Sequence, residues 1–405
     1  MPDHSAGRAG APSKQEVIEN AEHLLYKTYN RFPVIFDHGD GVHLYDSEGK
    51  EYLDFGAGIA VMGLGYNHPG FNSAVKAQVD KLLHTSNLFY NQPAVDAAGK
   101  LLKASGMERV FFTNSGTEAV EGALKIARRY AFDRGIKEPE IIAMEHSFHG
   151  RSLGALSVTG NDHYQEPFRP LLPGIRFAKF NDLDSVKALV HEHTVAVVME
   201  TIQGEGGIYP ATEEFLKGVR KLCDEHDMLL MLDEIQCGMG RSGSMFAWQG
   251  YGVKPDVMLV AKALGNGVPI GAFLACGEAA AAMKPGDHGT TYGGNPLVCA
   301  AAGKVLELFE QEHIVEHVQA VGAYLWEKLE EFVARHDCAA AHRGTGLIQG
   351  VEFQVPVAPI VQKALLEERL VLISAGSHVI RFVPPLVIEK ADVDEMLVKL
   401  ERAIS

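Results

Sequence analysis

Lys262 follows the apolar run DVMLV and precedes a loop bearing Gly265, Gly267 and Gly271, with no carboxylate close by in sequence. An ammonium at the edge of an apolar core loses solvation, so its pKa falls and it becomes a neutral amine able to condense with a carbonyl. Asp233 ends a second apolar run, MLLMLD. A carboxylate there needs a partner, because burying one alone is costly. A helix N-terminus would serve, and so would a ligand cation such as a protonated heterocyclic nitrogen. Asn114-Ser115-Gly116-Thr117 joins the run ERVFFTN to a helical pattern. Free N–H groups at such a helix start attract phosphate, although Ser115 or Thr117 with Glu118 is equally an ordinary cap. Phe148, between His146 and His149 in EHSFHGRS, is placed to pack in the core or to stack on a flat ring. Glu145, His146 and His149 form a weak metal motif, one H-x-x-H with no downstream ligands, and no metal is expected. Gly63-x-Gly65 lacks the third glycine and the preceding strand of a dinucleotide loop.

Positioning these groups requires a particular framework. Between about residues 108 and 276, apolar or β-branched runs (ERVFFTN, EIIAM, IRFAK, TVAVVME, MLLMLD, DVMLV, AFLAC) alternate with helical patterns. Near-continuous apolar strands interleaved with helices predict an α/β fold with a mainly parallel sheet covered on both faces, and ligands bind such sheets beyond the carboxyl ends of the strands. Past Asn295 come long helices, short strands (GLIQGVEF, HVIRFVPP) and a last helix from about Ala391, which read as a smaller α+β domain. The expected division is an N-terminal segment, 1–62, packing with a small C-terminal domain, 296–405, and a large domain, 63–295, that carries the candidate chemistry. A helix is expected near 14–28 and a strand–turn–strand in GVHLYDSEGKEYLDF.

At 405 residues and 46% hydrophobic, the chain is long enough for two domains, and a net charge of −15 argues against nucleic-acid or anionic-membrane surfaces. The five cysteines form no C-x-x-C pair and fit a reducing compartment. The first residues, MPDHSAGRAGAPSK, have no apolar region of the kind a signal peptide needs and are expected to be a frayed tail, so the cytoplasm is the expected location. Val257 to Cys276 has the length of a membrane span, but Lys262, Gly265, Gly267 and Pro269 in its middle argue for two strands and a loop.

A phosphate cradle, a buried carboxylate, an imine-capable lysine and a stacking aromatic at strand ends together describe a pyridoxal 5′-phosphate site. The strings DSEGKEYLDFGAGIAV, NSGTEA, HSFHGR, QGEGGI, DEIQCGMGRSG, AKALGNGVPIGA, HGTTYGGNPL and VIRFVPPLV carry a resemblance over nearly the whole chain. They resemble the class-III (ω-amino-acid) aminotransferases of pyridoxal-phosphate fold type I, most of all the acetylornithine branch. The resemblance implies that Lys262 forms the Schiff base and moves the substrate proton. It implies that Asp233 faces the pyridine nitrogen, that Gln236 neighbours the phenolic oxygen and that Phe148 covers the ring. Ser115, Gly116 and Thr117 would hold the phosphate, and Thr291 would reach the phosphate of a neighbouring subunit, in a homodimer with shared active sites.

An ω-amino donor carries its carboxylate far from the reacting amine, whereas glutamate carries one at each end, so two arginines are needed and one must be masked for the first substrate. By resemblance Arg151 takes the distal carboxylate, Arg381 takes the one beside the reacting carbon, and Glu205 masks Arg381; Tyr29 matches a substrate-contacting tyrosine. The implied reaction, a step of arginine biosynthesis, transfers the ω-amino group of N-acetylornithine to 2-oxoglutarate. The alternatives are 4-aminobutyrate, ornithine, succinylornithine or succinyl-diaminopimelate as donor, or an aminomutase. Val120 and Asn266 depart from residues common in the family, asparagine and glycine. Ile59 stands where ornithine aminotransferases carry a tyrosine that recognises a free α-amino group, which argues against free ornithine.

Overall fold

The computed structural model describes residues 12–405, so most of the N-terminal tail lies outside the described residues. Seven strands form the central sheet: β1 (Arg109–Thr113), β2 (Glu140–Met144), β3 (Ile175–Ala178), β4 (Thr194–Glu200), β5 (Leu229–Asp233), β6 (Val257–Val260) and β7 (Gly271–Ala275). Their order is β1-β7-β6-β5-β4-β2-β3. All neighbours run parallel except β7, which is antiparallel to both β6 and β1. β4, β5, β6 and β7 are buried along their whole length, as continuous apolar runs require when helices cover both faces. Two apolar clusters pack against the opposite faces.

Register sets the site. Asp233 is opposite Glu200 on β4 and Leu259 on β6, so two carboxylates end adjacent strands and Lys262 follows three residues past Leu259. The chain then turns back, and Gly271 of β7 comes opposite Thr113 of β1, bringing the start of helix Gly116–Asp133 beside the Lys262 loop. A Cβ on Gly271 would lie 2.4 Å from the Ser115 carbonyl oxygen, so only glycine permits this approach. The suspected membrane window is thus β6, a short 3-10 turn Lys262–Leu264 and β7. No helix among the described residues is long and apolar enough to cross a membrane.

The N-terminal helix spans Lys14–Leu24, shorter than the sequence suggests, and has a complete capping box at Ser13 and Glu16. Strands Phe36–Asp40, His43–Asp46 and Glu51–Asp54 form an antiparallel meander, and Leu370–Val371 joins its edge in parallel, with Leu370 opposite Leu53. The N-terminal segment therefore shares a sheet with the C-terminal part of the chain. Helix Pro296–Gln311, capped by Asn295 with proline at its first position, has the boundaries its sequence predicts. After helix Ile314–Arg335, strand Ala339–Thr345 pairs with Ile348–Phe353; its sequence, AAAHRGT, carries too little apolar alternation to be foreseen. The largest apolar cluster runs from Val42 to Ala403 across both expected domain boundaries.

Ala57–Ala60 is a left-handed turn, with φ of 47°, 61°, 68° and 61° at four consecutive residues. Three of these are not glycine, and Ile59 is β-branched, so the turn is strained. Asp54, buried at its base, accepts from the N–H groups of Gly56 (2.8 Å) and Ala57 (3.0 Å) and from the Tyr66 hydroxyl (2.6 Å).

Candidate active site

Ser115, Gly116, Thr117, Phe148, Arg151, Asp233, Gln236 and Lys262 line one cavity of about 410 Å³ at the carboxyl ends of the strands. At one end is the helix Gly116–Asp133. Ser115 caps it by accepting from the Glu118 N–H, while Glu118 accepts from the Asn114 N–H at 2.7 Å. The N–H groups of Gly116 and Thr117 find no acceptor among the described residues and are available to an anion, favoured further by the helix dipole. The Thr117 hydroxyl is 2.8 Å from that of Ser152, which in turn donates to Glu121 at 2.6 Å.

At the other end lie the buried charges. Lys262 has a left-handed backbone, φ 49°, and its pKa falls to about 8. Burial is the main cause and the neighbouring Arg381 charge adds to it, so a neutral amine is accessible near neutral pH. Asp233 accepts from the Ile235 N–H at 3.0 Å, and its other oxygen lies 2.7 Å from Nδ1 of His149. Burial opposes a charge on His149 most strongly, yet the hydrogen bond and charge of Asp233, with Glu200, outweigh it and raise the imidazole pKa. Glu200 accepts from the N–H groups of Phe148 and Gly204, both at 3.1 Å; burial pushes its pKa up to about 7.

Arg381, on strand Val379–Phe382, is 3% exposed and donates from one nitrogen to Glu205 at 2.8 Å and to Gln236 at 2.9 Å. Gln236 thereby connects the cavity wall to the arginine. Gly204 allows this, since a Cβ there would meet the Gln236 carbonyl oxygen at 2.4 Å. Arg151, the other arginine singled out in the sequence, is exposed at the cavity wall, with its guanidinium carbon 3.7 Å from the centroid of the Tyr164 ring.

Thr291 and Tyr29 stand apart from this assembly: neither lines the cavity, and both are exposed. The departures from family pattern fit the packing. Val120 is fully buried in a helix face of small apolar residues, and the Asn266 side chain accepts from the Leu64 N–H at 2.8 Å, tying the Lys262 loop to residues 64–65. Ile59 is two residues before Val61, which lines the cavity. No group of side chains suited to a metal ion occurs among the described residues, and His149 has a carboxylate partner instead. Sequence reasoning missed Glu200, whose signal was available: like Asp233, it is a carboxylate ending an apolar strand. It also missed Tyr164, which no motif marks.

A mixed sheet with a parallel majority, helices on both faces and this cavity at its carboxyl ends is the fold type I architecture of pyridoxal-phosphate enzymes. The chain belongs to the class-III aminotransferase family, whose model matches residues 25–404. It is 48% identical over 382 residues to the acetylornithine aminotransferase of Clostridium acetobutylicum, covering 94% of this chain and 98% of that one. It is 46% identical over 373 residues to the succinylornithine transaminase of Salmonella enteritidis PT4, covering 91% of each. Among solved structures, the ornithine aminotransferase of Toxoplasma gondii, with pyridoxal phosphate at partial occupancy in its active site, superposes with a TM-score of 0.93 at 30% identity. That match covers 96% of this chain and 94% of the other.

Proposed function

We propose that the chain binds pyridoxal 5′-phosphate in this cavity and moves the ω-amino group of N2-acetyl-L-ornithine to 2-oxoglutarate. The products are N-acetyl-L-glutamate 5-semialdehyde and L-glutamate, a step of arginine biosynthesis. The residues fit the cofactor. Uncommitted N–H groups at Gly116 and Thr117, with Ser115, suit its phosphate; Asp233, backed by His149, suits a protonated pyridine nitrogen; Phe148 would cover the ring and Gln236 neighbour the phenolic oxygen. Lys262 would hold the cofactor by its amine. When bound, the cofactor supplies a sink for the electrons left at the substrate carbon. Lys262 Nζ, with its pKa lowered to about 8, would be the base that moves the proton at the substrate carbon.

The observation that carries the reading is the unequal state of two arginines. Arg381 is held by Glu205 and Gln236, whereas Arg151 makes no ion pair among the described residues. That pairing suits an ω-amino donor, whose one carboxylate goes to Arg151, followed by a dicarboxylate that also displaces Glu205. An aminomutase, which keeps the amine on one carbon skeleton, has no use for such a switch. Succinylornithine is the second donor to consider, given the similarity to a succinylornithine transaminase.

The same reading makes the protein a homodimer in which Thr291 serves the partner's phosphate. Exposed apolar side chains support it: Leu88, Phe89, Tyr90 and Tyr292 are 87%, 68%, 102% and 62% exposed, on segments joined by Asn87 donating to the carbonyls of Thr290 and Gly293. Tyr29 would contact substrate only in that assembly. We retain the division 1–62, 63–295 and 296–405 and the cytoplasm as location, the latter on five free cysteines, three of them buried. Single-turnover conversion of the bound cofactor to its amine form, run with acetylornithine, succinylornithine, ornithine and 4-aminobutyrate, tests the donor. Acetylornithine should react fastest, and faster conversion by 4-aminobutyrate or free ornithine would overturn the reading.

A further inference from the structure

The Arg151 guanidinium lies over the Tyr164 ring at the edge of the cavity. The guanidinium carbon is 3.7 Å from the Tyr164 centroid and 5.5 Å from that of Phe148, and the two rings meet edge to face at 6.2 Å. Among the described residues Arg151 makes no hydrogen bond or ion pair, so all its N–H donors are free. We propose that Tyr164 is a positioning residue for substrate recognition: it holds the face of the Arg151 guanidinium and leaves the hydrogen-bonding edge open to the carboxylate distant from the reacting amine. The inference rests on the assignment of that carboxylate to Arg151.

The surroundings of Tyr164 are braced for this task. It lies in the short helix Asp162–Gln165, capped by the Asn161 side chain, which accepts from the His163 N–H. Its neighbour Gln165, 7% exposed, donates from one nitrogen toward the carbonyls of Leu156 (3.1 Å), Ser157 (3.3 Å) and Thr159 (2.8 Å). Those carbonyls belong to the middle of the segment that leaves Arg151, so Gln165 ties the end of the 151–165 loop to its centre beside the Tyr164 ring. Ser152 fixes the other side: its hydroxyl donates to Glu121 and its N–H to Thr117. Both the backbone and the head of Arg151 are thus located before substrate arrives.

The chemistry explains why a ring suits this place. A free arginine loses rotamer freedom when it binds a carboxylate, and prior location reduces that loss. A carboxylate neighbour would also locate the guanidinium, but it would compete with substrate for the same N–H groups, as Glu205 does at Arg381. An aromatic face attracts the cation without occupying its edge.

The test compares Tyr164→Leu, Tyr164→Phe and Arg151→Lys holoenzymes. For Tyr164→Leu the KM values of acetylornithine and 2-oxoglutarate should both rise by roughly three- to tenfold, the span of a partly exposed cation–ring contact, with kcat at saturation and cofactor affinity retained. Single-turnover reaction with n-pentylamine, which has no distal carboxylate, should be unchanged. Tyr164→Phe, which keeps the ring, should return both KM values to within about twofold of the parent. If Tyr164→Leu alters neither KM, or slows n-pentylamine as much as acetylornithine, the inference is wrong. If Arg151→Lys leaves both KM values unchanged, the assignment of Arg151 itself fails; if only Arg151→Lys raises them, that assignment stands and the role of Tyr164 does not.

Discussion

Removing Glu205 should change which donor the enzyme prefers. In the structure Arg381 is 3% exposed and shares one nitrogen between Glu205 at 2.8 Å and Gln236 at 2.9 Å, while Glu205 is 28% exposed. A carboxylate that takes the Arg381 Nη1 donors must displace Glu205 from them. The cost of that exchange is the strength of a charge-assisted hydrogen bond with partial solvent access, about 1.5 to 3 kcal/mol. In Glu205→Ala the incoming carboxylate no longer meets this cost, so kcat/KM for glutamate should rise by roughly ten- to a hundredfold. Acetylornithine, whose only carboxylate the proposed assignment gives to Arg151, should gain nothing. Glu205 also raises the Lys262 pKa through its charge, so its loss should leave the amine slightly more acidic. The assay is single-turnover reaction of the loaded enzyme with each donor, followed by the absorbance of the bound cofactor. A glutamate-to-acetylornithine ratio that stays within about threefold of the parent, or that falls, would refute the masking argument.

Glu200 and the exposed apolar face give two further expectations. Glu200 holds its proton more tightly folded, with a pKa of about 7, than unfolded, near 4.5. Its contribution to stability is therefore complete below pH 4.5 and lost as pH rises to about 7. Relative to the parent, Glu200→Gln should gain stability across that window by at most about 3 kcal/mol and then level off, read from denaturation midpoints at each pH. A difference independent of pH would mean that Glu200 is not held protonated. Leu88→Asp puts a charge on the apolar face; sedimentation should show a shift toward monomer, accompanied by a roughly tenfold weaker hold on the cofactor as Thr291 leaves the partner's phosphate. A monomer with undiminished cofactor affinity would contradict shared sites.

The parts of the site that sequence displays are those where a polar residue interrupts an apolar run. Asp233 and Lys262 stand out because a carboxylate and an amine cannot end buried strands without a purpose, and Ser115 to Thr117 stand out because helix caps have a narrow vocabulary. Glu200 carries the same signal as Asp233. Its significance comes from strand register, which places it beside Asp233, 33 positions further along the chain, and period-two patterning does not exist in strands buried on both faces. His149 was legible only as half of a weak metal motif, because its partner Asp233 is 84 residues away. The left-handed turn Ala57–Ala60 was hidden altogether: alanine and isoleucine do not announce positive φ, and the buried Asp54 carboxylate, itself bonded by Tyr66, accepts from the Gly56 and Ala57 N–H groups at the base of the turn. Strand Ala339–Thr345 was missed because four of its seven residues are alanine or glycine, which say little about either face. Thr291 and Tyr29 lie outside the cavity and are exposed, and only the proposed dimer gives them a role.

The central claim, that Lys262 is the amine that holds the cofactor at the strand ends, is tested most directly by trapping the bond. Loaded enzyme is reduced with borohydride, digested and mapped by mass spectrometry. The account predicts a pyridoxyl group on Lys262 and no reducible yellow adduct in Lys262→Ala protein. A pyridoxyl group on another lysine, or a trapped adduct that survives in Lys262→Ala, would contradict it.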